Sequence, residues 1–203
     1  ATAQESSRFR YSEAVMGTEF RVLLYARDQA SADRAAAAAY DRAREINSLL
    51  SDWLSDSEVS RLTSLAGADS CVAVSPDLLT VLEHAQDVSA RSGGSVDVTV
   101  GPMSRLWRWA MRRGELPSES RLAAVRRAVG YEKLVLDVDG QCVRLRVPEM
   151  KLDLGGIAKG YAADEMLKTL KRLNIPVALI DAGGDIVTGA RPPDAGGWVV
   201  ETR

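Results

Sequence analysis

The segment Lys151-Leu-Asp-Leu-Gly-Gly-Ile-Ala-Lys-Gly-Tyr-Ala-Ala-Asp164 places a glycine pair between a short apolar run and a helix-forming stretch headed by a lysine. That pattern suits a phosphate. Gly155 and Gly156 let the chain turn with no Cβ in the way, and the first amides of the following helix offer N–H donors that lack an intrahelical acceptor. Lys159 adds a positive charge beside them. A plain strand-turn-helix junction would look the same, and the segment has neither the G-x-x-x-x-G-K-[ST] spacing of a P-loop nor a G-x-G-x-x-G, so alone it names no ligand.

Four more segments carry glycines, hydroxyls and aromatic residues. They are Val15-Met-Gly-Thr-Glu-Phe20, Leu50-Ser-Asp-Trp-Leu-Ser-Asp-Ser-Glu-Val-Ser-Arg-Leu62, Ser92-Gly-Gly-Ser-Val-Asp-Val-Thr-Val-Gly-Pro-Met-Ser-Arg-Leu-Trp107 and Ala178-Leu-Ile-Asp-Ala-Gly-Gly-Asp-Ile-Val-Thr-Gly189. In this order the five resemble the motif series of the ApbE family, the FAD:protein FMN transferases, from about Val15 to Trp198. The resemblance implies an α+β fold of antiparallel or mixed sheets with segregated helices, related to the T-fold. It also implies a transferase that takes FAD as substrate and works with magnesium. In that family a threonine hydroxyl of a client protein attacks the phosphorus nearer riboflavin, leaving FMN on the client and releasing AMP. Carried over by motif, Met16, Trp53, Ser95, Val96, Asp97, Gly155, Lys159 and Tyr161 would contact FAD, and the backbone carbonyl of Ala158 would be one magnesium ligand. No catalytic base is assigned. The implied location is the periplasm or the outer face of the cytoplasmic membrane.

Four of these residues also have a plainer reading. FAD needs phosphate donors, room for backbone approach and apolar surface for its rings. Trp53 stands where the family typically has tyrosine and would stack on or edge the isoalloxazine, yet it follows Ile46, Leu49 and Leu50 at helical spacing and fits a core position as well. Met16 divides the same way. Asp97 could anchor a ribityl or base hydroxyl, or fold back on its own loop amides; Thr99 reads as structural. Lys159 would offset pyrophosphate charge or lie on a helix surface. Thr63 replaces the usual asparagine and Val98 the usual proline. The family's C-terminal segment, with the Asp and Thr that complete the magnesium site and a His-containing loop, has no counterpart before Arg203. The expectation is therefore a fragment of a longer enzyme, one piece of a processed one, or a shortened relative. A non-catalytic FAD-binding protein and an FAD-cleaving pyrophosphatase are the alternatives.

The elements that must position these residues follow from periodicity. Glu19 to Tyr25 alternates as a strand, and Asp28 to Leu50 is an alanine-rich amphipathic helix. Asp56 or Ser57 caps a short helix through Arg61, Cys71 to Val74 is a strand, and Ser75-Pro76 opens a helix that stops at Ser92-Gly93-Gly94. Ser118 caps another through Val129, with Gly130 as its stop. Lys133 to Val147 folds into a hairpin about Asp139-Gly140. Ala158 to Leu173 is helical, Val177 to Ile180 a strand, and Trp198 to Glu201 begins another. Hairpins and helices without βαβ alternation give α+β.

Composition narrows the class. With 203 residues, 46% hydrophobic, 27% charged and a net charge of −2, the chain reads as one domain over residues 15–203 behind a flexible polar tail at residues 1–14. No concentrated basic run marks nucleic-acid binding, and no apolar run approaches the roughly 20 residues of a membrane span. His84, on an expected helix surface, is the sole histidine, so a Ser/His/Asp triad is not available. Cys71 and Cys142 lie in apolar, strand-like stretches and read as buried thiols before a disulfide or a ligand pair. With one histidine they cannot build a thiolate-imidazole zinc site.

Overall fold

The computed structural model describes residues 6–193 and 195–201. In chain order the elements are β1 (Ser7–Val15), β2 (Thr18–Ala26), α1 (Gln29–Leu50), α2 (Glu58–Ser64), β3 (Val72–Ala73), α3 (Pro76–Arg91), α4 (Gly101–Arg113) and α5 (Glu119–Arg127). A 3-10 turn (Tyr131–Lys133), β4 (Leu134–Asp137), β5 (Cys142–Leu145), α6 (Ala158–Arg172), β6 (Ala178–Ala182) and β7 (Asp185–Thr188) follow. The backbone groups into two compact units, where the sequence suggested one domain. Unit 1 is the chain up to Asn47 together with Ala158 onward; unit 2 is Ser48–Ile157.

Unit 1 is an antiparallel sheet of order β1-β2-β6-β7 with α1 and α6. Alternation decides its inner face. Phe20, Val22 and Leu24 of β2 stand opposite Ala182, Ile180 and Ala178 of β6, and all six are buried. On α1, Ala32, Ala35, Ala36, Ala39 and Ala43 are buried, small enough for close packing, and Tyr40 donates its hydroxyl to the Phe20 carbonyl at 3.1 Å. α6 buries Ala162, Ala163, Met166 and Leu170 and packs on β6 and β7.

Residues 7–14 are not a tail. They pair with β2 from Ser7↔Ala26 to Val15↔Thr18, around a turn in which Met16 and Gly17 have φ of 52° and 74°, the sign a two-residue hairpin turn requires. The strand's polar sequence conceals it: an edge strand exposed on most positions needs a ladder rather than an apolar face. Residues 1–5 lie outside the described residues. Trp198 to Glu201 forms no strand either. After Gly196-Gly197 the segment is anchored by side chain instead, its indole N–H donating to the Ala190 carbonyl at 3.0 Å and its ring lying edge-on to Tyr25 at 6.2 Å.

Unit 2 carries the sheet β3-β5-β4, all antiparallel, with α2 to α5. The expected caps are formed: Ser57, Ser75 and Ser118 accept from the amides of Ser60, Leu78 and Arg121. α5 ends earlier than expected, with Ala128 as its C-cap, and Gly130 instead donates its N–H to Thr99 Oγ1 at 2.8 Å. α4 was not legible as a helix. It opens at Gly101-Pro102 and closes on a left-handed Gly114. Cys71 and Cys142, read as thiols, form a disulfide with Cα atoms 5.5 Å apart. The β3–β5 register brings them within bridging reach, and register cannot be read from either segment alone.

Candidate functional site

Trp53 occupies the turn between α1 and α2 and is 71% exposed, which excludes the core position its spacing allowed. The Arg108 guanidinium of α4 lies 4.5 Å from its ring centroid. The same guanidinium donates from Nη1 to Asp52 Oδ2 at 3.3 Å and from Nη2 to Asp153 Oδ2 at 3.0 Å. Asp153 then reaches in two more directions. Its Oδ1 accepts the Gly155 N–H at 3.1 Å, and its own N–H donates to the Val98 carbonyl at 2.8 Å. In this way Trp53, the loop after Asp97 and the Gly155 turn are joined within unit 2 through two residues, Arg108 by its side chain and Asp153 by its carboxylate and its backbone N–H.

α4 is held close to this group by its first residue. A Cβ on Gly101 would fall 2.5 Å from the Lys151 carbonyl oxygen, and Val100 bridges Lys151 in parallel fashion. Burial, aided by the positive charge of Arg105, holds the Lys151 ammonium below its ordinary range, with Glu149 opposing. The Ser95–Asp97 loop follows Gly93 and Gly94, whose φ values of 60° and 81° favour glycine. Asp97 Oδ1 turns back onto Thr99, accepting from its N–H at 2.8 Å and its hydroxyl at 2.7 Å. Of the two readings of Asp97, that oxygen follows the second. Thr99 is fully buried and structural, as expected. Val96 is exposed, and its N–H donates to Ser92 Oγ.

Met16, Ala158, Lys159 and Tyr161 belong to unit 1. Met16 sits in the β1–β2 turn. α6 starts at Ala158, and its first turn holds no acidic residue, so the positive end of the helix and Lys159 act in the same sense. Lys159 Nζ contacts Asp185 Oδ2 at 2.8 Å, at the start of β7. The β6–β7 turn approaches β2 closely: a Cβ on Gly183 would fall 2.5 Å from Thr18 Oγ1, and Asp181 Oδ1 accepts the Gly184 N–H at 2.8 Å. Tyr161 is half-buried.

The residues fit a flat, phosphate-bearing ligand in kind. Within unit 2, Trp53 is an exposed ring and Gly156 has no atom within 4 Å of where a Cβ would stand; within unit 1, taken by itself, the α6 terminus with Lys159 is anion-favouring. Magnesium fits less well. Among the described residues no three His, Cys, Asp or Glu side chains cluster to hold a metal, and the Ala158 carbonyl is one oxygen where a hard cation takes around six. Arg108 and Asp153 were missed in the sequence because their pairing spans 45 residues and that of Arg108 with Asp52 spans 56. Asp52 and Asp153 do stand inside the quoted motifs, beside Trp53 and near Gly155.

Known proteins bear on this arrangement. The FAD:protein FMN transferase of Haemophilus influenzae is 29% identical over 161 residues, 77% of this chain and 46% of that protein. One from Vibrio cholerae is 33% identical over 144 residues, 70% of this chain and 42% of that protein. The chain thus spans about half the length of these curated relatives. The solved structure of the flavin transferase ApbE from Vibrio cholerae superposes with a TM-score of 0.85 at 27% identity, over 96% of this chain and 63% of that one. The apo form of the Pseudomonas stutzeri flavinyl transferase ApbE also gives 0.85 at 27% identity, over 98% and 66%. The ApbE family model matches residues 16–203, nearly the whole sequence. The chain belongs to the ApbE family.

Proposed function

We propose that this chain binds FAD and serves in FMN transfer from FAD to a client protein. The observation that carries the reading is the tie of Trp53, the loop after Asp97 and the Gly155 turn through Arg108 and Asp153, in a chain of this family. Trp53 offers its ring to the isoalloxazine. In unit 1, the amides that open α6, with Lys159, are the groups suited to a phosphate. Ser95 and Val96 line the loop where a ring edge or ribityl hydroxyl would bond, and Met16 and Tyr161 supply contact surface. The acceptor is a threonine hydroxyl: its oxygen bonds to the phosphorus nearer riboflavin, the P–O bond to AMP breaks, AMP carries away that electron pair, and the hydroxyl proton passes to solvent. Such a reaction asks the protein mainly for positioning and for charges around the phosphates. Magnesium dependence is part of the same proposal, with the Ala158 carbonyl as one ligand.

The proposed setting is the periplasm or the outer face of the cytoplasmic membrane. The Cys71–Cys142 disulfide supports an oxidising compartment, and no helix among the described residues is long and apolar enough to cross a membrane.

The test is to incubate the 203-residue chain with FAD, magnesium and a threonine-bearing client, and to follow melting and adduct mass in parallel. FAD at a hundredfold excess over Kd should add roughly 2.7 kcal/mol of stability, and the client should gain the mass of FMN. Absence of any FAD-dependent shift in the folded chain would refute the binding assignment. Protection without an adduct would favour the binding-only reading. FMN and AMP released without adduct would favour the pyrophosphatase.

A further inference from the structure

We infer that Arg108 is the positioning residue of the flavin platform, fixing the plane of the Trp53 ring and tying it to the Gly155 turn. The inference rests on the reading that Trp53 takes the isoalloxazine. Trp53 is the least protected kind of ligand surface, a large ring on a short turn with most of its area in solvent. Without a partner such a ring samples several rotamers, and stacking would have to order it at the moment of binding. Arg108 removes that freedom from one side. Its guanidinium lies over one face of the indole at 4.5 Å, leaving the opposite face for a second flat ring.

The guanidinium is itself fixed, because it is shared between Asp52 and Asp153, whose side chains are only 12% and 16% exposed. Asp52 adjoins Trp53 in sequence, and Asp153 holds the Gly155 N–H. One side chain therefore sets the ring and the glycine turn together. Charge gives a second reason for an arginine here. Asp52 and Asp153 without Arg108 would be two partly buried negative charges left uncompensated on either side of the vacated guanidinium, and they would repel each other and loosen both Trp53 and the Gly155 turn. Lysine cannot replace arginine in this role. It is a point charge without the planar fork, so it can meet one carboxylate well but cannot bridge two while lying flat on an indole.

The experiment is a titration of FAD into the 203-residue chain, read by quenching of flavin fluorescence, with W53A, R108M, R108K and the double variant W53A/R108M. Melting without FAD checks that each variant is folded. W53A is expected to weaken FAD about tenfold and abolish most of the quenching. R108M should weaken FAD by a similar factor of about ten, with reduced quenching although Trp53 is still present, and R108K should recover less than half of that loss on a logarithmic scale. The double variant should bind within about twofold of W53A, because both changes disable one platform. Wild-type binding and quenching in R108M, or in R108K if R108M does not fold, would overturn the inference while leaving the FAD reading intact. So would a double variant whose losses multiply. If W53A itself binds FAD like the wild type, the platform reading fails and the role of Arg108 falls with it.

Discussion

Removing the Cys71–Cys142 bridge should destabilise unit 2 and leave unit 1 nearly untouched. The bond closes a loop with a sequence separation of 71, for which the chain-entropy relation gives about 4 kcal/mol at 25 °C; measured bridges fall at about 2–4 kcal/mol. Little else secures the strand it holds. β3 has two residues, Val72 and Ala73, paired with Val143 and Cys142, and just beyond it the Val74 N–H donates to the Gln141 carbonyl at 3.0 Å. The next residue, Ser75, caps α3 and binds Glu58 of α2 through both its N–H and its hydroxyl. Freeing β3 therefore loosens the start of α3 and its link to α2. The double variant C71S/C142S, and the wild type under reductant, should show the same loss of about 2–4 kcal/mol in urea unfolding. Hydrogen exchange should locate it, with protection falling at Val143 and Leu79 and holding at Val22 and Ile180. The oxidised chain, unfolded without reductant, should present no reactive thiols. Two titratable thiols in that assay, or a midpoint that ignores reductant, would refute the reasoning and remove the support for an oxidising compartment.

Three further outcomes follow from single contacts. Gly101→Ala places a Cβ 2.5 Å from the Lys151 carbonyl oxygen, a backbone atom, so α4 must move; a loss of about 1–3 kcal/mol in melting is expected, with weaker FAD binding because Arg108 moves too. Burial pushes the Glu165 carboxyl up, but hydrogen bonds from Lys168 and Arg42 outweigh it and leave it below the ordinary range. The stabilisation is then present above the unfolded-state value and lost as pH falls through the folded one, so Glu165→Gln should cost about 1–2 kcal/mol at neutral pH and the gap to wild type should close below about pH 4. In unit 1, Lys159→Met should loosen FAD several-fold by calorimetry, whereas Asp185→Asn, which frees Lys159 Nζ from its 2.8 Å partner, should tighten it; equal losses in both would show that the pair is structural.

The parts of the fold that could be read from sequence are those governed by neighbours a few residues away. Ser57, Ser75 with Pro76, and Ser118 announce helices because a cap is a contact three residues long, and β2 announces itself through the alternation of Phe20, Val22 and Leu24. The misses have a common cause. β1 is an edge strand whose stability comes from its ladder with β2, α4 begins with a Gly-Pro pair that reads as a turn, and the disulfide depends on the β3–β5 register. Each requires a partner that lies elsewhere in the chain.

The candidate site divides along the same line. Chemistry at the level of residue type made Trp53, Asp97 and Lys159 candidates but left each with two readings, and three-dimensional contacts weigh on all three. Trp53 is exposed and backed by a cation, Asp97 Oδ1 is occupied by Thr99, and Lys159 leans on Asp185. Arg108 shows why the remainder was hidden. An arginine on a Trp- and Arg-rich helix looks like a solvated face, and only its simultaneous reach to Asp52 and Asp153 distinguishes it from Arg112 four residues on, which is exposed. A motif records the residues that meet a ligand together with those that hold them in place, without separating the two. In this chain Asp52 beside Trp53 and Asp153 beside the glycine turn are of the second kind, and Arg108, just outside the motif, is the group through which they act on one another.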